Sequence, residues 1–442
     1  MDWTLAVLAL AVLGVAAVSR RIAGSPITPA MLFVAVGILV GPRVLGEVDV
    51  SPLSSPIRVL AEATLTVVLF ADASRIRLRA LRRDHGLPVR LLAVGLPLTI
   101  VAGAAAAAAL LDDLTVLEAL VLGVLLAPTD AALGQAVVTE PRLPLRIRQG
   151  LNVESGLNDG ICVPLLLIAL AAATVDANAE SGGHAVTVVV EEIGYGIVGG
   201  ILAGAAAAAV VVHAGRRGLI ADSWAQIVPV AGAALAYGIA APLGGSGFIA
   251  AFVGGMCFGG LLRRDPAGLA AFNEEVGELL GGVTFVLFGA VLLGPALDEL
   301  TWAVAGYAVL SLTVVRMVPV ALALLGSGAR PQTVAFLAWF GPRGLASIVF
   351  AVLVLEEGTL AHTDTILLAT YATIALSVPA HGLSAAPLAH RYARWYEAHP
   401  HDRRPAMESR PVFAHRPRGP VALAQELGAV AEHAERPKQL TG

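Results

Sequence analysis

The sequence predicts an all-α polytopic membrane protein with about 13 transmembrane helices, two of them broken near mid-span. Three observations predict it: composition, a recurring apolar block length, and the alternation of arginine along the chain. Of the 442 residues, 57% are hydrophobic and 14% charged, and the mean hydropathy is +0.78. Soluble domains hold about 45–50% apolar and 25% charged residues, so a soluble core cannot absorb this much apolar surface. The apolar residues recur in blocks of roughly 20, long enough to cross a hydrocarbon core of about 30 Å.

Read in order, the spans fall near 2–18, 27–42, 56–72, 88–111, 115–139, 149–174, 186–213, 223–241, 246–262, 274–294, 301–325, 332–355 and 363–388. No basic region precedes the first block, so it is expected to be a span and not a cleaved signal. Alanine runs at 104–109 and 205–209 suit close helix approach in a membrane. Cys162 and Cys257 lie inside apolar blocks, where a disulfide framework or zinc site has no support.

Arginine punctuates the odd-numbered connections: Arg20 and Arg21; Arg75, Arg77, Arg79, Arg82, Arg83 and Arg90; Arg142, Arg146 and Arg148; Arg216 and Arg217; Arg263 and Arg264; Arg330. Even-numbered connections hold only Arg43 and Arg58, and several are acidic, as at Asp112-Asp113, Asp298-Glu299 and Glu356-Glu357. The positive-inside rule therefore places the N-terminus outside and the C-terminus in the cytoplasm of a cell that carries the chain in its inner (plasma) membrane. Residues 1–390 form the membrane domain. Residues 391–442 turn to Arg, His, Pro and Glu and read as a mobile cytoplasmic tail, with one amphipathic helix expected at 421–434.

Of the 29 basic residues, all but Arg316 and Arg343 belong to connections or the tail. A charge at bilayer depth is costly, about 2.5–3.5 kcal/mol on insertion scales, and normally faces a partner inside the bundle. The available anions are Asp130 in span five and Glu154 and Asp159 in span six. The spacing of four residues stacks Ser155 over Asp159 and Glu154 over Asn158. These hard oxygen ligands suit an alkali cation or a proton, and no His or Cys cluster suggests a transition metal.

Pro128 in Ala127-Pro128-Thr129-Asp130 and the run Phe340-Gly341-Pro342-Arg343-Gly344 should each interrupt a helix. Paired interrupted helices point to a transporter binding site, since freed carbonyls can hold a cation and opposite charges offset half-helix dipoles. Asp130 is expected at a positive half-helix end, either as a dipole partner or as a direct ion ligand, and Arg343 beside a negative one. Pairing Glu154 with Arg316 and Asp130 with Arg343 leaves Asp159 as the carboxylate not consumed. Charging a desolvated carboxylate is costly, so Asp159 is expected to carry a proton in competition with a cation. Thr129, Ser155 and Asn158 would add neutral oxygens around a Na+ at Asp159. One titrating carboxylate per ion makes 1:1 electroneutral exchange the simplest stoichiometry.

Taken together, Pro128-Thr129-Asp130, Glu154-Ser155-Gly156-Leu157-Asn158-Asp159 and Gly341-Pro342-Arg343-Gly344 resemble the cation/proton antiporter superfamily, specifically its electroneutral NhaP-like sodium/proton branch. The resemblance covers nearly all of residues 1–390. It implies an NhaA/NhaP-like fold of inverted repeats, a core and a dimerisation domain, a homodimer, and elevator-like alternating access without a cofactor. Carried over, Asp159 matches the ion- and proton-binding aspartate, Thr129, Ser155 and Asn158 the residues lining its site, Glu154 and Arg316 an ion pair, and Arg343 the arginine of the second broken helix. Many relatives read Phe-Glu-Gly-Gly at the end of span three, where this chain has Phe70-Ala71-Asp72-Ala73. Asp72 either replaces that glutamate as an accessory acid or only faces the cytoplasmic arginines. Exchange of K+ in place of Na+, a passive channel and an intramembrane enzyme stand as alternatives, and nothing suggests a nucleic-acid partner. His85 and His213, near cytoplasmic ends, are candidate pH sensors against the commoner reading of solvated surface histidines, while His362 and His381 lie far in sequence from Ser155.

Overall fold

The computed structural model describes residues 4–22, 25–48, 51–76, 86–130, 132–178, 182–262, 269–357, 360–398 and 406–409. Among these residues the chain is all-helical, and each predicted span falls on a helix or a pair of half-helices. We number them by span. They are α1 (Thr4–Ile22), α2 (Pro29–Val40), α3 (Ser55–Arg75), α4 (Gly86–Leu110), the half-helices α5a (Val116–Leu125) and α5b (Gln135–Thr139), and α6 (Leu145–Asn178). Then follow α7 (Gly182–Ala209), α8 (Val228–Ala240), α9 (Gly247–Leu261), α10 (Leu269–Leu287, running on to Ala296), α11 (Trp302–Ala323), α12a (Pro331–Trp339), α12b (Leu345–Glu357) and α13 (Thr363–Glu397). Eight of the continuous helices are long and apolar enough to cross a membrane, and α2, α5a, α9 and α12b are shorter apolar helices.

Local chemistry sets the ends. The Thr115 hydroxyl and the Glu118 carboxylate form a reciprocal capping box at the start of α5a, satisfying two of the orphan amides there. The Thr28 and Ser246 hydroxyls each accept one amide, from Met31 and Ile249, at the starts of α2 and α9. Wide π turns at Leu91–Gly95, Val210–Ala214 and Phe288–Leu293 continue α4, α7 and α10. In α11 the backbone breaks at Thr313 (φ −107°, ψ −93°), just before Arg316.

The helices pack as two groups. One gathers α1–α3 with α7–α10; the other gathers α4–α6 with α11–α13, so that each of its two triplets has the broken helix in the middle. The groups meet where α6 lies against α3, α7 and α9, and where α12b lies against α3. Apolar residues such as Leu5, Leu10, Leu13, Val190 and Leu202 stay exposed on α1 and α7, as a lipid-facing surface requires.

Two features extend beyond the spans read from the sequence. Helix α13 runs past residue 388 to Glu397, because 388–397 contains no breaker and Ala389, Tyr392 and Ala393 are buried. Tyr392 stacks on Phe336 with ring centroids 4.4 Å apart. Within residues 391–442, Met407 and Glu408 are buried, the Met407 amide donates to Gly328 O at 3.1 Å, and Arg330 Nε lies 3.8 Å from Glu408. The helix expected at 421–434 lies outside the described residues, as does His85.

Candidate functional site

The two breaks lie against each other and close each other's hydrogen bonds. At the first, α5a ends at Leu125 and Pro128 cannot donate a backbone hydrogen bond. The Leu125 carbonyl accepts instead from Ser347 Oγ of α12b at 2.9 Å. The Asp130 amide donates to Pro342 O at 2.8 Å, while its carboxylate accepts from the amides of Ala132 (2.8 Å) and Leu345 (3.0 Å). Leu345 opens α12b, so Asp130 serves the positive end of the opposing half-helix.

At the second break, α12a ends at Trp339, and Gly341 O accepts from Arg343 Nη1 at 2.5 Å. The Arg343 amide donates to Ser377 Oγ at 2.7 Å. Glycine is required here for close approach: a Cβ on Gly341 would run into the Arg316 guanidinium, and one on Gly344 into the Asp130 carboxylate.

Glu154 and Arg316 form a buried ion pair, Oε1 to Nη1 2.7 Å, with side chains only 3% and 2% exposed. The pairing of Asp130 with Arg343 is corrected. Arg343 is fully buried and, among the described residues, forms no ion pair with a carboxylate; its Nε and Nη2 make no hydrogen bond. It shares the field of Glu154 with Arg316, and the negative end of α12a takes the place of the carboxylate.

Beside this scaffold, α6 presents the expected oxygen-bearing face. Ser155 Oγ donates to Thr129 O at 2.6 Å and Asn158 Nδ2 to Thr129 Oγ1 at 2.7 Å, tying the break of span five to α6. Thr129, Ser155, Asn158 and Asp159 are all buried. Asn158 Oδ1 accepts no hydrogen bond, an arrangement that is costly for a buried carbonyl and that a cation would relieve.

A cavity of about 410 Å³ reaches this face, and Asp159, Ser155, Asp130 and Asp72 line it. Its walls include Ser19, Arg75 and Glu274, at the ends of α1 and α3 and the start of α10, so it opens at the end carrying the arginine-rich connections. Asp72 packs beside Gly156, one turn from Asp159. Arg75, expected in a connection, is instead the buried last residue of α3 and pairs with Glu274 at 2.7 Å. Reading the sequence missed Glu274 and Ser377, and set His381 aside as far in sequence from Ser155. His381 lies between Ser377 and Trp339 O, 3.1 Å from each acceptor carbonyl. No linear pattern joins these residues to span six. His362 pairs with Glu118 at 2.9 Å, and His213 sits at the end of α7 against Ala209 O.

The family model described as "Sodium/hydrogen exchanger, transmembrane" matches residues 7–391. A K(+)/H(+) antiporter NhaP of Alkalimonas amylolytica is 26% identical over 76% of the chain and 57% of its own length. A K(+)/H(+) antiporter NhaP2 of Shewanella oneidensis is 27% identical over 74% of the chain and 56% of its own length. A Na(+)/H(+) antiporter of Schizosaccharomyces pombe is 27% identical over 55% of each. The chain thus spans little more than half the length of these relatives. Among solved structures, the sodium proton antiporter MjNhaP1 from Methanocaldococcus jannaschii superposes with a TM-score of 0.71 at 21% identity, covering 89% of this chain and 98% of that one. The match over nearly the whole described bundle, with the crossed breaks at its centre, makes this chain a multi-pass membrane protein of the transmembrane sodium/hydrogen exchanger family.

Proposed function

We propose that the protein is a secondary transporter exchanging a monovalent cation for a proton at Asp159. The observation that carries this reading is the buried set of oxygens on α6 at the end of the cavity: Asp159 and Ser155 line it, and the undonated Oδ1 of Asn158 lies beside them. Asp159 holds either a proton or, with Ser155, Thr129 and Asn158, the cation; it cannot hold both well. One exchanging carboxylate gives 1:1 electroneutral turnover. Asp130 holds the opposing half-helix, Glu154, Arg316 and Arg343 compensate charge around it, and Asp72 attracts cations along the cavity wall.

The cavity opens on the cytoplasmic side in this reading, with the N-terminus outside, the C-terminus inside, and residues 1–390 as the transport domain of a plasma-membrane homodimer. No cofactor takes part. Na+ is the cation assigned, supported by the family description and by MjNhaP1. The names of the Alkalimonas and Shewanella relatives favour K+ as the second reading. An enzyme would need a nucleophile and base at matched depth, and His381 is instead committed to backbone and hydroxyl partners on α12a and α13.

The test is a pH-sensitive dye in proteoliposomes offered Na+, K+ and Li+ in turn. Exchange should vanish in Asp159→Asn while the variant still elutes as folded protein. Retained cation-driven proton movement in that variant would overturn the assignment, and cation flux without proton movement in the native chain would indicate a channel.

A further inference from the structure

A second cavity of about 310 Å³ lies at the opposite end of the bundle. Three helices each reach into both cavities. From α3, Asp72 and Arg75 line the first and Arg58 and Glu62 the second. From α12b, Leu345 lines the first, and Phe350 and Glu356 the second.

On α6 the shared wall is a single stripe. Ser155 and Asp159 line the first cavity, Val163 and Leu167 the second, and their spacing of four residues puts them on one helix face. Asp159 and Val163 are therefore separated by about 6 Å along the axis at 1.5 Å per residue. That short stretch is sealed by apolar packing. Val163 and Phe350 are buried, and Phe252 of α9 lies so close to Gly160 that a Cβ there would enter its ring.

The second cavity is also latched. Arg58 Nε pairs with Glu62 on its own helix at 2.9 Å and with Glu356 of α12b at 3.4 Å, and Tyr237 of α8 lines the same cavity. Arg58 thereby joins the two helix groups, α3 in one and α12b in the other. Moving the group that carries Asp159 toward this end must separate Arg58 from Glu356 and lift Gly160 off Phe252.

Resting on the exchange reading above, we infer that this second cavity is the outward half of the ion route, with Arg58 as the latch that holds it shut. Arg58 acts through the position of α12b and does not touch the ion. A half-exposed pair is worth at most about 1 kcal/mol, so the latch biases the two states without locking them.

The experiment measures accessibility and does not depend on turnover. In the full chain carrying Cys162→Ser and Cys257→Ser, a reporter Val163→Cys is labelled with a membrane-impermeant thiol reagent from the side opposite the arginine-rich connections. Arg58→Gln should raise the labelling rate about two- to five-fold. A second reporter, Ala71→Cys in the first cavity, reacted from the arginine-rich side, should label more slowly in the same background. Glu356→Gln should reproduce both shifts, and the exchanged pair Arg58→Glu with Glu356→Arg should return them toward native rates. Unchanged labelling at both reporters, or faster labelling at both, would overturn the latch. Where Val163→Cys fails to fold, Leu166→Cys serves as the outer reporter. Loss of the exchange reading through Asp159→Asn would leave these rates untouched, so the two failures are distinguishable.

Discussion

The buried trio Glu154, Arg316 and Arg343 makes an asymmetric stability prediction. Breaking a buried ion pair costs about 3–5 kcal/mol, because it leaves an uncompensated charge in low dielectric. Here the two ways of breaking it differ. Glu154→Gln leaves two fully buried guanidiniums, Arg316 and Arg343, that already share one field. Arg316→Met removes one of the like charges and leaves Glu154 with Arg343 as its neighbour. Glu154→Gln should therefore fall at or above the top of the range and Arg316→Met at the bottom. The double variant, one cation with no buried anion, should lie well below the sum of the two. An average unfolding entropy of about 2.1 cal/mol/K per residue gives roughly 0.9 kcal/mol per kelvin for 442 residues. The expected Tm losses are then about 5 °C for Glu154→Gln and 3 °C for Arg316→Met, read by thermal unfolding in detergent. Equal losses for the two single variants, or a double variant whose loss equals their sum, would refute the shared-field account. Folded double variant that keeps its apparent cation affinity marks the pair as structural; lost affinity marks it as part of the ion site.

Further expectations concern the scaffold. Ser155→Ala removes the bond to Thr129 O, worth about 1 kcal/mol, and should weaken apparent cation affinity roughly five-fold in the dye assay with little change in Tm. Gly344→Ala forces a methyl into the Asp130 carboxylate and should cost about 1–3 kcal/mol as an overpacked site does, with exchange falling further than the Tm shift alone accounts for. Outside the membrane, the hydrogen bond from Arg142 holds Glu140 below the usual carboxylate range, with His390 adding to it. A depressed carboxylate stabilises above its unfolded value and loses that contribution as pH falls through its folded value. Glu140→Gln should thus lower Tm at neutral pH, and the difference should begin to shrink below about pH 4 and vanish in stronger acid, once pH is below the folded value; a difference that persists there would contradict it.

What could be read from the sequence was local. Pro128 and Gly341-Pro342 interrupt their helices while Pro164, Pro319, Pro379 and Pro387 stand inside continuous ones, and arginines at bilayer depth demand compensation, so the crossed half-helices and the Glu154–Arg316 pair were both legible. Partner choice was less so, because it depends on which ends the crossing brings together. Counting charges assigned Asp130 to Arg343. In the fold, the Asp130 carboxylate accepts from the amides of Ala132 and of Leu345, which opens α12b, and Arg343 turns to the carbonyl of Gly341 two residues away. Arg75 illustrates the same limit: at the edge of an apolar block, an arginine in solvent and one buried against Glu274 of α10 look alike. The Arg58 latch draws on α3 and α12b, which lie far apart in the chain, so no periodicity could announce it.

The reassignment of Asp130 bears on mechanism. With Asp130 and Arg343 each satisfying the end of a half-helix, the two breaks neutralise one another and hold as a rigid crossing, tied to α6 through Thr129. In the proposed exchange, a cation arriving at Asp159 would meet neutral oxygens already held in place by these bonds and would displace a proton there. On the same proposal, selectivity between Na+ and K+ would depend on how far Thr129 and Ser155 can separate without losing the 2.6 Å bond between them. Ser155→Ala removes that bond, so it should weaken discrimination between the two ions as well as affinity. Competition of Na+ with K+ in the proteoliposome dye assay measures that discrimination, and an unchanged preference in Ser155→Ala would show that the crossing does not set the size of the site.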